Sequence, residues 1–156
     1  MKHFYVGINN FIYKHPFIKS CVHFSSLFCP WMVAIFYSLF LLKIVIESPN
    51  GFFYLFSKPM MVLICTALLR IFINRPRPYE KYSIKPIGDK RQSGHSFHAS
   101  LTLSIALTVI KTGPNMGLLL FALAFTITIT RLLTGEHYLT DIIASILIAL
   151  GIYFIS

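Results

Sequence analysis

The chain has 156 residues, of which 56% are hydrophobic and only 12% charged, and its mean hydropathy is +0.70. A water-soluble domain of this composition would lack the polar residues to cover its own surface, so the sequence reads as an integral membrane protein. The formal net charge of +9 does not point to nucleic acid, because the basic residues are few, separated by apolar runs and tied to the membrane surface.

Residues 1–24 mix aromatic side chains with Lys2, Lys14, Lys19, Asn9 and Asn10. That mixture suits an amphipathic helix lying in the membrane interface and broken near Pro16. The segment lacks the clean apolar stretch and small-residue cleavage site of a cleavable signal peptide. Crossing about 30 Å of hydrocarbon takes roughly 20 apolar residues, and five spans follow: Leu27–Ile46, Pro59–Ile73, Phe97–Ile110, Met116–Thr130 and Tyr138–Ile155. The second and third are short, although flanking Tyr, Lys and Arg side chains extend them by snorkelling. The β-branched run Ala124–Thr130 would favour a strand in water, but an open sheet in lipid leaves backbone groups unpaired, and the alternation of a β-barrel is absent. The expected fold is an all-α, membrane-embedded helical bundle: about five transmembrane helices and an N-terminal interfacial helix, in one domain over residues 1–156. Cys21, Cys29 and Cys65 are odd in number and lie in or beside apolar segments, which predicts buried, unpaired thiols.

The basic residues are unevenly placed. Arg70, Arg75, Arg77, Lys81, Lys85, Lys90, Arg91 and Arg131 border the connections after spans two and four, which alternation puts on one membrane face; Lys43, Lys58 and Lys111 are the sparse counterparts elsewhere. The positive-inside rule would put that face in the cytoplasm, but an anion-binding site would gather the same charges.

Three polar clusters converge there. Arg70 ends span two and is followed, after six residues, by Arg77-Pro78; Ser93-Gly94-His95 precedes span three; Thr130-Arg131 ends span four, with His137 and Asp141 opening span five. His137 and Asp141, four residues apart, would share a face if both were helical and could hydrogen-bond. An imidazole that donates one N–H to a carboxylate keeps its other nitrogen deprotonated and aimed, as nucleophilic attack requires. His95 could then protonate the departing oxygen as general acid. Three arginines point to phosphate, since guanidinium groups grip its oxygens bidentately and neutralise a phosphoryl group in flight. Gly94 allows close backbone approach, and amides at a helix start add donors. A phosphate ester or diphosphate at a membrane face has a lipid as its leaving group.

These residues resemble the type 2 phosphatidic acid phosphatase superfamily, membrane lipid phosphatases with haloperoxidase relatives. Its pattern runs Lys, six residues, Arg-Pro; then Pro-Ser-Gly-His; then Ser-Arg, five residues, His, three residues, Asp. The chain offers Arg70 with Arg77-Pro78, Gln92-Ser93-Gly94-His95, and Thr130-Arg131 with His137 and Asp141, in order over residues 70–141. Arg70, Gln92 and Thr130 depart from the pattern without removing a group the chemistry requires. The resemblance implies His137 as nucleophile forming a phosphohistidine, Asp141 orienting it, and His95 as acid and later base. It implies Arg70, Arg77, Arg131, Ser93 and the Gly94 amide as phosphate ligands, with no metal and no cofactor. Five Asp and Glu residues in the whole chain agree, because a two-metal carboxylate site would be hard to build from them.

Brevity and the interfacial N-terminal segment resemble the short bacterial members that hydrolyse undecaprenyl diphosphate to undecaprenyl phosphate in cell-wall lipid recycling. That likeness implies a multi-pass protein of the cytoplasmic membrane with its site facing outside. Phosphatidylglycerophosphate or phosphatidic acid is the alternative substrate.

Each residue also has an ordinary explanation. Arginines at helix ends snorkel to headgroups; His98, one turn beyond His95, supports or packs beside the site instead of reacting, as do Glu136 and Arg75, the latter within reach of a distal phosphate or lipid headgroup. Glu80, Lys81, Lys85, Asp89 and Lys90 form a solvated loop face, Pro78 stops a helix and Gly135 caps one. The joint order and spacing are what single the set out. Zinc on His95, His98, His137 and Asp141 is the rival chemistry, disfavoured by three arginines that would repel the cation. A non-catalytic lipid-binding protein is the rival class, disfavoured by the intact His95, His137 and Asp141.

Overall fold

The computed structural model describes residues 2–72, 78–82, 87 and 97–155. Among them every regular element is an α-helix: α1 (Lys2–Lys14), α2 (Pro16–Glu47), α3 (Pro49–Phe72), the short α4 (Pro78–Lys81), α5 (Phe97–Thr112), α6 (Pro114–Leu133) and α7 (Leu139–Phe154). Four of these start on a proline, whose fixed φ suits the first helical turn and whose missing N–H is not needed there.

The side-chain distribution is the reverse of a water-soluble protein's. Large apolar side chains such as Leu39, Phe53, Ile64, Phe125 and Leu147 face outward, while Ser100, Thr102, Ser104, Thr108, Arg131 and His137 are buried. An apolar exterior around a polar-containing interior is stable in lipid, and the chain is a multi-pass membrane protein. α2, α3 and α6 are long and apolar enough to cross the bilayer; α5 and α7, also apolar, have 16 residues each.

α5 occupies the centre, packed against α3, α6 and α7, with α2 covering α6. Val33, Phe40 and Ile44 of α2, Leu55 of α3, Ile105, Ala106 and Val109 of α5, and Leu120 and Ile127 of α6 form the core. Gly117 lets α6 come close to α5: a Cβ there would lie 2.5 Å from the Ile110 Cα. Such approaches are how helices associate where lipid supplies no hydrophobic driving force. The threonine hydroxyls on α5 bond back along the helix: Thr102 to the Ala99 carbonyl at 3.3 Å, Thr108 to the Ile105 carbonyl at 3.1 Å and Thr112 to the Val109 carbonyl at 3.3 Å.

Two expected boundaries are corrected. The chain does break before Pro16, but residues 17–24 belong to α2, a 32-residue helix about 48 Å long, instead of to the interfacial segment. The helix is therefore longer than the roughly 30 Å of a bilayer's hydrocarbon. The second span was expected to start at Pro59, yet α3 runs through it from Pro49. Pro59 has no N–H to give to the Leu55 carbonyl four residues back, and the Tyr37 hydroxyl of α2 donates to that carbonyl at 2.7 Å. The helix continues because a neighbouring helix replaces the missing donor.

Lys58, expected merely among the sparse charges of the opposite face, is buried, and its Nζ donates to the Ile152 carbonyl in the last turn of α7 at 3.1 Å. A cation there satisfies an orphan helix-end acceptor. The three cysteines are free as expected, but the expected burial is corrected: Cys21 is exposed and Cys29 and Cys65 are only partly covered, because each lies on a helix flank that no other described element covers fully.

Candidate active site

The connection between α6 and α7 is built by two helix ends. α6 closes with Thr134 as its C-cap, and Gly135 follows with φ +72°. The Gly135 N–H donates to the Leu132 carbonyl at 3.1 Å and the Glu136 N–H to the Arg131 carbonyl at 3.2 Å, the paired bonds of a Schellman motif. That reversal carries Glu136 back over the last turn of α6, where its carboxylate pairs with the Arg131 guanidinium. Arg131 is 8% exposed, and its Nε is buried without a hydrogen-bond partner among the described residues. The Thr130 hydroxyl is spent inside α6, donating to the Ile127 carbonyl at 2.8 Å.

His137 comes next and is 6% exposed. The four-residue spacing suggested that His137 and Asp141 lie on one helix, but α7 starts at Leu139 with Tyr138, at φ −74° and ψ 149°, as its N-cap. His137 thus lies in the connection, one residue before the cap. Asp141 is the third helical residue, and its Oδ2 accepts the Tyr138 N–H at 3.1 Å. A carboxylate in a first helical turn takes up an orphan amide and complements the helix dipole. It is that cap which the structure gives Asp141, holding the peptide that leads out of His137.

Two other segments meet this connection. At the start of α4, Pro78 is buried and the Tyr79 N–H donates to the Gly135 carbonyl at 3.2 Å, so the chain directly following Arg77 is anchored to the connection that carries His137. From α1, the Tyr5 hydroxyl accepts the Leu139 N–H at 3.1 Å and donates to the His137 carbonyl at 3.4 Å. Tyr5, Tyr138, Tyr79 and Tyr82 with Val6 and Leu132 form a second, small apolar cluster.

Of the expected site residues, Arg131, His137 and Asp141 are brought together at this end of the bundle. Arg77, Ser93, Gly94 and His95 lie outside the described residues; Arg70 is in the last turns of α3 and His98 in the first turn of α5, with side chains also outside them. The same holds for Arg75, Lys85, Asp89, Lys90 and Arg91. Sequence reasoning passed over Tyr5, Tyr79 and Tyr82; Glu136, expected as a supporting group, holds Arg131. The one legible signal was the spacing of Tyr5, Asn9 and Ile12, which puts these buried residues on one face of α1.

A buried cation and a buried imidazole at one end of an apolar bundle make this connection the candidate functional site. Comparison with family models finds a match to the PAP2 superfamily over residues 50–156. The comparisons with curated proteins and with solved structures return no match.

Proposed function

Because this chain belongs to the PAP2 superfamily, we propose that it is a metal-independent lipid phosphatase working through a phosphohistidine on His137, with undecaprenyl diphosphate as substrate and its site on the outer face of the cytoplasmic membrane. The observation that carries the reading is the pair of buried groups, Arg131 and His137, at one connection inside a lipid-facing bundle. A phosphoryl group needs a nucleophile and neutralising cations in a water-poor setting, where electrostatic interactions are strongest.

In this reading a ring nitrogen of His137 attacks the terminal phosphorus, and the P–O bond to the lipid phosphate breaks. The departing oxygen takes a proton from His95. His95, now neutral, then removes a proton from water; the resulting hydroxide attacks phosphorus, the N–P bond breaks and inorganic phosphate leaves. Arg70, Arg77, Arg131, Ser93 and the Gly94 amide hold the phosphoryl oxygens throughout. Glu136 keeps the Arg131 guanidinium neutralised until phosphate arrives. Asp141 holds the start of α7 and favours the imidazolium form that develops beside it.

Phosphate release from undecaprenyl diphosphate by detergent-purified protein in excess chelator, with His137→Ala alongside, tests this directly. Release that survives the chelator and vanishes in the variant is expected. Release from phosphatidylglycerophosphate instead would change the substrate and keep the chemistry, while release lost to the chelator would overturn metal independence.

A further inference from the structure

The family match starts at residue 50, so α1 lies outside it. Yet Tyr5 of α1 reaches the connection that carries the proposed nucleophile and is 3% exposed. Its hydroxyl spans the Tyr138 cap, donating to the carbonyl before it and accepting the amide after it, at 3.4 Å and 3.1 Å. The Leu139 N–H is a first-turn donor with no partner inside its own helix. Satisfying it together with the His137 carbonyl fixes the direction in which the chain leaves His137. The ring is held as well: it stacks on Tyr82 at 5.9 Å and 21° and meets Tyr138 edge-on at 6.2 Å and 85°. Tyr82 ends the segment that follows Arg77, so a single side chain of α1 touches two of the motif-bearing connections.

We propose that Tyr5 is a positioning residue for His137, making the interfacial helix α1 part of the active centre. The proposal rests on the reading of His137 as nucleophile. Its physical content is that an imidazole must be aimed at phosphorus within a few tenths of an ångström, and that misplacement costs rate rather than binding.

The test uses the full chain in detergent, with Tyr5→Phe, which keeps the ring and removes the hydroxyl, and Tyr13→Phe on the same helix as control. Steady-state kinetics on the lipid diphosphate and hydrogen exchange of the Leu139 amide are measured together. Tyr5→Phe is expected to lower kcat by about tenfold with KM changed less than about twofold, and to speed Leu139 exchange. Tyr13→Phe should do neither. An unchanged kcat, or a loss confined to KM, overturns the positioning role. If the wild-type protein hydrolyses no lipid phosphate while Tyr5→Phe still speeds exchange, the phosphatase reading falls and Tyr5 is a structural tether only.

Discussion

Replacing Gly135 by alanine isolates the backbone reversal that delivers His137. An added Cβ would meet only the Tyr79 Cβ, at 3.9 Å, an ordinary contact, so no steric clash contributes. The cost is conformational: an L-residue held at φ +72° loses about 1–2 kcal/mol against glycine. That free energy has two places to appear. If packing holds the Schellman turn in shape, the unfolding free energy falls by about 1–2 kcal/mol; if the turn gives way, its native population, and with it kcat, falls by up to about 5–30-fold. Gly135→Asn separates the explanations, since asparagine tolerates this region and should recover most of the loss. Unfolding in detergent and single-turnover phosphate release read the two effects on one preparation. Gly135→Ala indistinguishable from wild type in both, or Gly135→Asn as impaired as Gly135→Ala, would refute the reasoning.

Asp141→Asn keeps an acceptor for the Tyr138 amide, and the helix start should survive with a change of a few tenths of a kcal/mol, whereas Asp141→Ala should cost about 1 kcal/mol of stability. Under the proposed function both are expected to lower kcat strongly, because both remove the carboxylate charge proposed to favour the imidazolium of His137; full rate in Asp141→Asn would remove Asp141 from the chemistry. Tyr37→Phe strips the donor from the Leu55 carbonyl and should destabilise the bundle by about 1–3 kcal/mol. Pro59→Ala in that background restores an N–H four residues on and should recover stability in a thermal melt; a double variant no better than Tyr37→Phe would rule out the orphan carbonyl as the cause.

The fold class was legible because apolar composition and the need to satisfy backbone groups in lipid leave few alternatives. The family was legible because its motif is carried by residue types at fixed intervals, which survive without knowledge of packing. What misled were prolines and spacing. Pro59 reads as a helix start until Tyr37 of another helix is seen to take over its lost bond. The His137–Asp141 interval reads as one helical face until Tyr138 turns out to be the cap. Tyr5 was invisible for the same reason: it lies more than 130 residues from its hydrogen-bond partners, and no local pattern links a side chain on α1 to the start of α7.

The length of α7 also bears on how the protein sits in a bilayer. Bounded by Tyr138 and Ile155, α7 has 16 residues and rises about 24 Å, several ångströms less than the roughly 30 Å of a bilayer's hydrocarbon. A bilayer relieves such hydrophobic mismatch by thinning locally. Under the proposed lipid phosphatase activity, turnover in vesicles should fall as acyl chains are lengthened and the mismatch grows, even though every contact within the protein is unchanged.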